Sequence, residues 1–215
     1  MSAPVRIAPL EGVEVHVLDG APPPEAHALL SPEESERAAR LRGPGQAQAY
    51  VCAHAALRRL LAQRTRRDAR ELRFTNGPKG KPALDDAPGV HFSISYRAGC
   101  AAVAIATRPV GVDVERVDAA IDATGIAQRF FTRDEQAWLA AAREPQAFFA
   151  LWTRKEALVK AAGVGIDGMG RAAAQGETAR IGDETGRERH YRILQLDAMP
   201  GYALALAVEE QGNEP

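Results

Sequence analysis

The chain has 215 residues, which is enough for one large domain or two small lobes. Hydrophobic residues make up 46% and charged residues 26%, and the formal net charge of −1 gives no overall field that would attract nucleic acid or a membrane surface. The two cysteines lack metal-ligand spacing, and the sequence shows neither a signal-peptide core nor an apolar run of the roughly 18 residues that span a membrane. We therefore expect a cytoplasmic protein with reduced thiols and no nucleic-acid or membrane partner.

The first half of the chain carries signals for strands and two helices. Residues 13–18 alternate apolar and polar side chains, which predicts a strand. Ser31 predicts the N-cap of a short helix, with Pro32 at its first position and Glu34 closing a capping box. A long helix is predicted over 46–64. Further strands are predicted at 90–95, 100–106 and 110–115.

The second half repeats this order. Thr132 and Glu135 form another capping box before a helix, and a long helix is predicted over 145–162 with its end at Gly163. Loops are predicted over 163–176 and 177–189, and strands over 190–196 and 202–208. In both halves a capped short helix precedes a longer helix and then a pair of strands. This shared order hints at a duplicated α/β lobe.

Two carboxylates lie close together in the predicted strand 110–115. Side chains at positions i and i+2 of a strand share a face, so Asp113 and Glu115 point the same way and Val112 and Val114 point the other way. A hard cation such as Mg²⁺ prefers oxygen ligands and would remove the repulsion between the two acids. The alternative is a strand end with two solvated acids, and this motif alone does not decide between them.

A second charged pair lies on the predicted helix 145–162. Glu156 and Lys160 are four residues apart and therefore neighbours on one helix face. Taken alone, the pair is best explained as an ordinary surface ion pair of small energetic value. The apolar residues just upstream, however, predict a well-buried helix. A third carboxylate near Asp113 and Glu115 would complete a Mg²⁺ site, and a lysine one turn later would suit a phosphate.

The order of several motifs resembles the 4′-phosphopantetheinyl transferase superfamily, in its Sfp-type branch. The matching segments include Gly-Lys-Pro at 80–82, Phe-x-x-Ser at 92–95, Gly-Val-Asp-Val-Glu at 111–115, Arg-Phe-Phe-Thr at 129–132 and Trp-x-x-Lys-Glu-Ala-x-x-Lys at 152–160. The resemblance implies an α/β (α+β) fold with two pseudo-symmetric lobes, each a small, mainly antiparallel sheet packed with helices. Residues 1–108 would form the lobe on the coenzyme A nucleotide side and 109–215 the lobe with the metal site and catalytic helix, with the active site in the cleft between them. The two-lobe layout implies a monomer.

The resemblance also implies an activity. The enzyme would move the 4′-phosphopantetheine arm of coenzyme A onto a serine of an apo acyl or peptidyl carrier protein, with release of 3′,5′-ADP. Asp113, Glu115 and Glu156 would bind Mg²⁺, or Mn²⁺ in its place, together with the pyrophosphate. Glu156, or a water at the metal, would take the serine proton, and Lys160 would stabilise the charge on the pyrophosphate bridge. Lys155 would add positive charge at the same phosphates.

By the same resemblance, four residues would help to hold the nucleotide end of coenzyme A: Lys81, Pro82, Ser95 and Tyr96. Tyr96 and Ala49 depart from the family pattern, because the family has a histidine and an arginine there, and both normally contact phosphate. A tyrosine can donate one hydrogen bond but carries no positive charge. We therefore expect weaker coenzyme A binding, or tolerance of dephospho-coenzyme A.

Two other functions stay open at this point. A catalytically impaired homologue would bind carrier proteins without modifying them. The departures at Tyr96 and Ala49 suggest this alternative, and the retained acids and lysine, Asp113, Glu115, Glu156 and Lys160, argue against it. An unrelated Mg²⁺-dependent phosphotransferase is disfavoured, because the sequence has no P-loop of the GxxxxGK[ST] type. Nothing in the sequence selects among fatty-acid, polyketide, nonribosomal-peptide and lysine-pathway carrier proteins.

Overall fold

The computed structural model describes five stretches of the chain, which are 5–43, 45–142, 144–183, 185–197 and 199–210. The strands are β1 (Val5–Leu10), β2 (Val13–Leu18), β3 (Phe74–Asn76), β4 (Pro82–Leu84), β5 (His91–Arg97), β6 (Cys100–Ala106), β7 (Val110–Arg116), β8 (Thr178–Gly182), β9 (Glu188–Leu196) and β10 (Tyr202–Glu209). The helices are α1 (Pro32–Arg40), α2 (Gln46–Thr65), α3 (Ala123–Phe130), α4 (Arg133–Ala142) and α5 (Pro145–Ala162). The mixed α/β class predicted from the sequence is confirmed. Among the helices of the described residues, none is long and apolar enough to cross a membrane.

The chain divides into two compact units. The first comprises Met1–Thr75 and Pro82–Thr107, and the second comprises Asn76–Lys81 and Arg108–Pro215. The short segment Asn76–Lys81 therefore belongs with the second half of the chain, although the sequence places it in the first. The functional roles predicted for the two lobes, and an active site between them, stay predictions.

Each unit is built around a four-stranded antiparallel sheet and one long helix. The first sheet has the order β1-β2-β6-β5. Helix α2 packs on it, and its residues Leu57 and Leu61 belong to one buried cluster with Phe92 and Val103. The second sheet has the order β7-β10-β9-β8, and α5 lies against it. In both units a strand precedes the helices, β2 in the first and β7 in the second, and it pairs with the last strand of its unit, β6 or β10. That last strand also pairs with the strand before it in the chain, β5 or β9. This shared topology supports the duplication suggested by the sequence.

A buried ion pair recurs at the same place in both units. In the first, Ser31 caps α1 and the Glu34 carboxylate accepts the Ser31 amide at 2.9 Å and Arg58 Nε, from α2, at 2.7 Å. Arg58 is 2% exposed, and it also donates to the carbonyl of Ala69 in the segment after α2. Although burial acts to raise the pKa of Glu34, its hydrogen bonds from His54, Arg58 and Ser31 lower that pKa to about 2. The capping box thus connects three successive elements.

The second unit repeats this connection with different residues. Thr132 and Glu135 form the predicted capping box of α4, since the Thr132 amide donates to Glu135 Oε2 at 2.8 Å and the Glu135 amide donates to Thr132 Oγ1 at 3.3 Å. Lys155 on α5 takes the place that Arg58 has on α2, and its Nζ lies 2.7 Å from Glu135 Oε2. The same polar arrangement therefore holds a short and a long helix together in each unit.

Most predicted helices and strands are confirmed, but two segments that were predicted as loops contain secondary structure. The predicted loop 177–189 was wrong, because it contains β8 and the start of β9. The predicted loop 163–176 contains a 3₁₀ helix at Ile166–Arg171. Five further elements of the described residues were not predicted, which are β1, β3, β4, α3 and a 3₁₀ helix at Ala26–Leu29. The two cysteines are buried free thiols, as expected.

Candidate active site

The first part of the candidate site is one face of β7. Strand register pairs Gly111, Asp113 and Glu115 of β7 with the alternate alanines of β10, which are Ala207, Ala205 and Ala203. Asp113 is 2% and Glu115 is 9% exposed. The predicted alternation, with both acids on one face and the valines on the other, is therefore confirmed. The alanines leave room on this face for a helix.

Helix α5 occupies that room. A Cβ added at Gly111 would lie 2.0 Å from the carbonyl oxygen of Ala157 and 2.5 Å from the nitrogen of Ala161. Such distances are far below any real contact, so only glycine allows the backbones of β7 and α5 to approach this closely. Because Gly111 shares its face with Asp113 and Glu115, the two buried acids are turned towards α5.

Lys160 joins the helix to the strand. Its Nζ donates to Oδ1 of Asp113 at 2.6 Å and to the carbonyl oxygen of Val112 at 3.2 Å. The Lys160 side chain is 31% exposed and that of Asp113 only 3%, so the lysine lies at the open edge of the pair. Glu156 is half-buried one turn earlier on α5 and therefore on the same side of the helix as Lys160. The structure thus brings Lys160 to Asp113, and the helical spacing puts Glu156 on the side of α5 that carries Lys160.

The chemistry of these residues suits a hard divalent cation, because three carboxylates offer only oxygen donors. In the part of the chain that the structure describes, no three His, Cys, Asp or Glu side chains come close enough together to hold a metal ion. The metal-binding role of Asp113, Glu115 and Glu156 accordingly stays a prediction.

The role predicted for Lys155 requires a correction. We expected it to face phosphate, but its side chain is fully buried and ion-paired with Glu135, which is 1% exposed. It also donates to the carbonyl oxygen of Ala172 and lies 5.3 Å from the ring centre of Phe131. Burial lowers the pKa of Lys155. An ammonium enclosed in this way does not present itself to a phosphate, so its role in this structure is internal.

Lys81 belongs to the second unit and is also engaged with the backbone. Its Nζ donates to the carbonyl of Ala161, near the end of α5, at 2.7 Å, and lies 3.4 Å from that of Val110. A cation at a helix C-terminus interacts favourably with the helix dipole. Nearby, Lys79 pairs with Asp167 at 2.9 Å. These two lysines attach the segment Asn76–Lys81 to α5 and to the 3₁₀ helix that follows it, and the nucleotide contact expected of Lys81 stays a prediction.

The remaining nucleotide candidates lie in the first unit. Ser95 is 4% exposed on β5, and Pro82 begins β4. Tyr96 packs edge-on against Tyr50, with ring centres 5.4 Å apart, and against His54, with ring centres 6.2 Å apart. We missed the aromatic cluster because its members are far apart in the sequence.

His54 brings an imidazole ring to this cluster. Its ring stacks on Tyr50 at 4.0 Å, and its Nδ1 lies 3.1 Å from Oε1 of Glu34. Arg37 lies 6.0 Å from the ring centre of Tyr50. An imidazole therefore lies beside Tyr96, where the family pattern has a histidine, and a guanidinium lies over the neighbouring Tyr50 ring. The four-residue spacing between Tyr50 and His54 on a predicted helix was the one signal that could have linked them.

Comparison with known proteins shows which family the chain resembles. Residues 109–207 match the family model described as the 4′-phosphopantetheinyl transferase superfamily, and this range contains the candidate residues of β7 and α5. The chain is 28% identical to the 4′-phosphopantetheinyl transferase Sfp of Bacillus subtilis over 142 residues, 65% of this chain and 62% of Sfp. It is 32% identical to the 4′-phosphopantetheinyl transferase HetI of Nostoc over 146 residues, 65% of this chain and 62% of HetI. The matches thus span less than two thirds of these relatives. Together with the family model, they show that the chain is similar to members of the 4′-phosphopantetheinyl transferase superfamily.

Proposed function

We propose that the protein transfers the 4′-phosphopantetheine group of coenzyme A to a serine of an apo acyl or peptidyl carrier protein. The observation that carries the proposal is the charged face shared by β7 and α5, where Lys160 binds Asp113 beside the buried Glu115. A purely structural helix–strand contact would be apolar there, because burying carboxylates is costly unless they have partners or a task. Relatives named as such transferases supply the reaction class.

The proposed reaction forms one bond and breaks another. The serine oxygen attacks the β-phosphorus of coenzyme A, and the bond from that phosphorus to the bridging oxygen breaks as 3′,5′-ADP leaves. Glu156 accepts the serine proton, for which its half-buried position next to Lys160 suits it. Lys160 stabilises the negative charge that develops on the departing phosphate. Mg²⁺ bound by Asp113, Glu115 and Glu156 would neutralise charge on the pyrophosphate.

An assay of phosphopantetheine transfer tests the proposed function directly. The protein is incubated with Mg²⁺, coenzyme A and a panel of apo acyl and peptidyl carrier proteins, and intact masses are measured. We expect at least one carrier to gain a single phosphopantetheine group, with 3′,5′-ADP appearing in equal amount. Sfp of Bacillus subtilis, run on the same panel, checks that the carriers are competent. Carriers that bind the protein but gain no mass, while Sfp modifies them, would favour the catalytically impaired homologue instead.

The cluster around Tyr96 gives a prediction about the nucleotide. Because a phenol supplies no positive charge to a phosphate, we expect the kcat/KM for coenzyme A to exceed that for dephospho-coenzyme A by less than about tenfold. The variant Tyr96→His should raise this preference by roughly tenfold, the usual gain from a charge-assisted hydrogen bond. Tyr96→Phe is the matched control and should leave the preference near that of the wild type. A strong wild-type preference that disappears in His54→Gln would contradict the prediction and assign the missing charge to His54.

A further inference from the structure

The buried pair of Lys155 and Glu135 has no part in the proposed chemistry, yet it is the most enclosed charged group in the second unit that the structure describes. The two side chains are 0% and 1% exposed. Replacing such a pair by apolar residues of similar size commonly costs no stability, so stability alone gives little reason for charges at this place. A fully satisfied polar network does fix one geometry among several that apolar packing would allow.

This network connects three separate pieces of the chain. Glu135, at the start of α4, accepts the amides of Thr132 and of Ala174, the latter at 2.8 Å. Lys155, on α5, donates to Glu135 and to the carbonyl of Ala172. The bonds to Ala172 and Ala174 involve the backbone atoms of those residues, so their geometry does not depend on a flexible side chain in the segment 172–174. The pair therefore holds α5 at a defined place relative to α4 and the segment that follows the 3₁₀ helix.

The neighbouring residue strengthens this attachment. Arg154 Nε donates to the carbonyl of Ala174 at 2.7 Å, and its Nη2 donates to the carbonyls of Gln175 and Gly176. Two consecutive cations of α5 thus bind the carbonyls of residues 172–176. A planar guanidinium holds several acceptors in a fixed arrangement, so rotation of α5 about its axis would break bonds at several points.

The network lies on the side of α5 that faces away from β7. With about 100° between successive residues, Ala157 and Ala161 are roughly 200° and 240° from Lys155 around the helix axis. Those alanines are the points at which α5 touches Gly111. Glu156 lies between the two sides, about 100° from Lys155 and about 100° and 140° from the two alanines. The rotation that directs Glu156 and Lys160 to the carboxylates of β7 is therefore fixed on one side by close packing and on the other by the buried pair.

We propose that Lys155 and Glu135 are positioning residues that set the rotation of α5 and so direct Glu156 and Lys160 at the reacting phosphate. The proposal rests on the proposed transferase function. A rotation of α5 by 10° would move a side-chain atom about 6 Å from the axis by roughly 1 Å. Misplacement by about 1 Å can cost on the order of 10²-fold in rate. Because Glu156 and Lys160 act on a proton and a charge that shift only as the reaction proceeds, the effect falls on kcat, and the coenzyme A affinity changes by no more than about threefold.

The test removes both charges together. In Glu135→Gln/Lys155→Met the glutamine keeps the capping acceptor and the methionine keeps the side-chain volume, so no unpaired charge is left buried. We measure the melting temperature, the Kd for coenzyme A by calorimetry, and kcat in the transfer assay. We expect kcat to fall by roughly 30- to 100-fold, with the Kd within about threefold of the wild type. Lys155→Arg retains the ion pair with a larger head group and should lower kcat by about tenfold, so the proposal stays testable if the double variant fails to fold.

The same unit supplies a control pair on other elements. Arg189→Met/Glu209→Gln removes the ion pair between β9 and β10, whose side chains are 35% and 15% exposed. At equal folded fraction its kcat should stay within about threefold of the wild type. An equal loss in this control would overturn the proposal, since it would indicate general loosening. A double variant of α5 with unchanged kcat would overturn it too, as would a raised Kd with kcat retained, which would indicate that Lys155 contacts phosphate. A wild-type protein that modifies no carrier would overturn the transferase function itself, and this role with it.

Discussion

Replacing Glu156 by glutamine is expected to lower the rate of phosphopantetheine transfer by about 10³-fold or more. The amide has nearly the shape of the carboxylate but cannot accept the serine proton, and loss of a positioned general base typically costs 10²- to 10⁴-fold. The substitution also removes one anionic oxygen from the predicted Mg²⁺ site, which adds to the loss. Initial rates of holo-carrier formation, measured from intact masses at saturating coenzyme A, give the comparison.

Glu144→Gln is the matched control for this variant. Glu144 is an exposed residue at the start of the same helix, and its side chain makes no capping hydrogen bond there. The control should keep the wild-type rate within about twofold, because a surface substitution away from special features changes little. If Glu156→Gln retained more than a tenth of the wild-type rate at the same folded fraction, the serine proton would have to leave by another route, and the assignment of Glu156 would be wrong.

The local structure of this chain was readable from sequence wherever short-range chemistry determines it. Ser31 and Thr132 were correctly predicted as helix caps because a capping box needs residues only three positions apart. The same holds for the end of α5 at Gly163, which has a φ of 72° that favours glycine. The common face of Asp113 and Glu115 followed from the period of a strand.

What the sequence did not reveal depends on contacts between distant segments. β8 is a short edge strand among polar residues, and only its pairing with β9 makes it a strand. Lys155 was misassigned because the motif that contains it does not show which side of α5 faces the core, nor that Glu135 lies 20 residues upstream as a buried partner. His54 was likewise not placed beside Tyr96, since a helix and a strand more than forty positions apart meet only in the folded unit.

Substitution of Gly111 by alanine is expected to destabilise the second unit strongly. The new Cβ would be placed 2.0 Å from the carbonyl oxygen of Ala157, and that atom belongs to the backbone of a helix with no freedom to turn aside. Overpacking a core commonly costs 1–3 kcal/mol, and a clash with backbone places this case at about 3 kcal/mol or above. For a chain of this size that corresponds to a fall in melting temperature of roughly 6–12 °C, measurable by calorimetry.

Gly170→Ala distinguishes this clash from a general cost of replacing glycine. No atom lies within 4 Å of a Cβ added at Gly170, which belongs to the same unit, so that variant should melt within about 2 °C of the wild type. In Gly111→Ala the folded molecules should also be less active, because relief of the clash moves α5 away from β7 and lengthens the bond from Lys160 to Asp113. A Gly111→Ala protein with wild-type melting temperature and wild-type transfer rate would show that α5 does not approach β7 so closely. The physical basis for directing Glu156 and Lys160 at the carboxylates of β7 would then be lost.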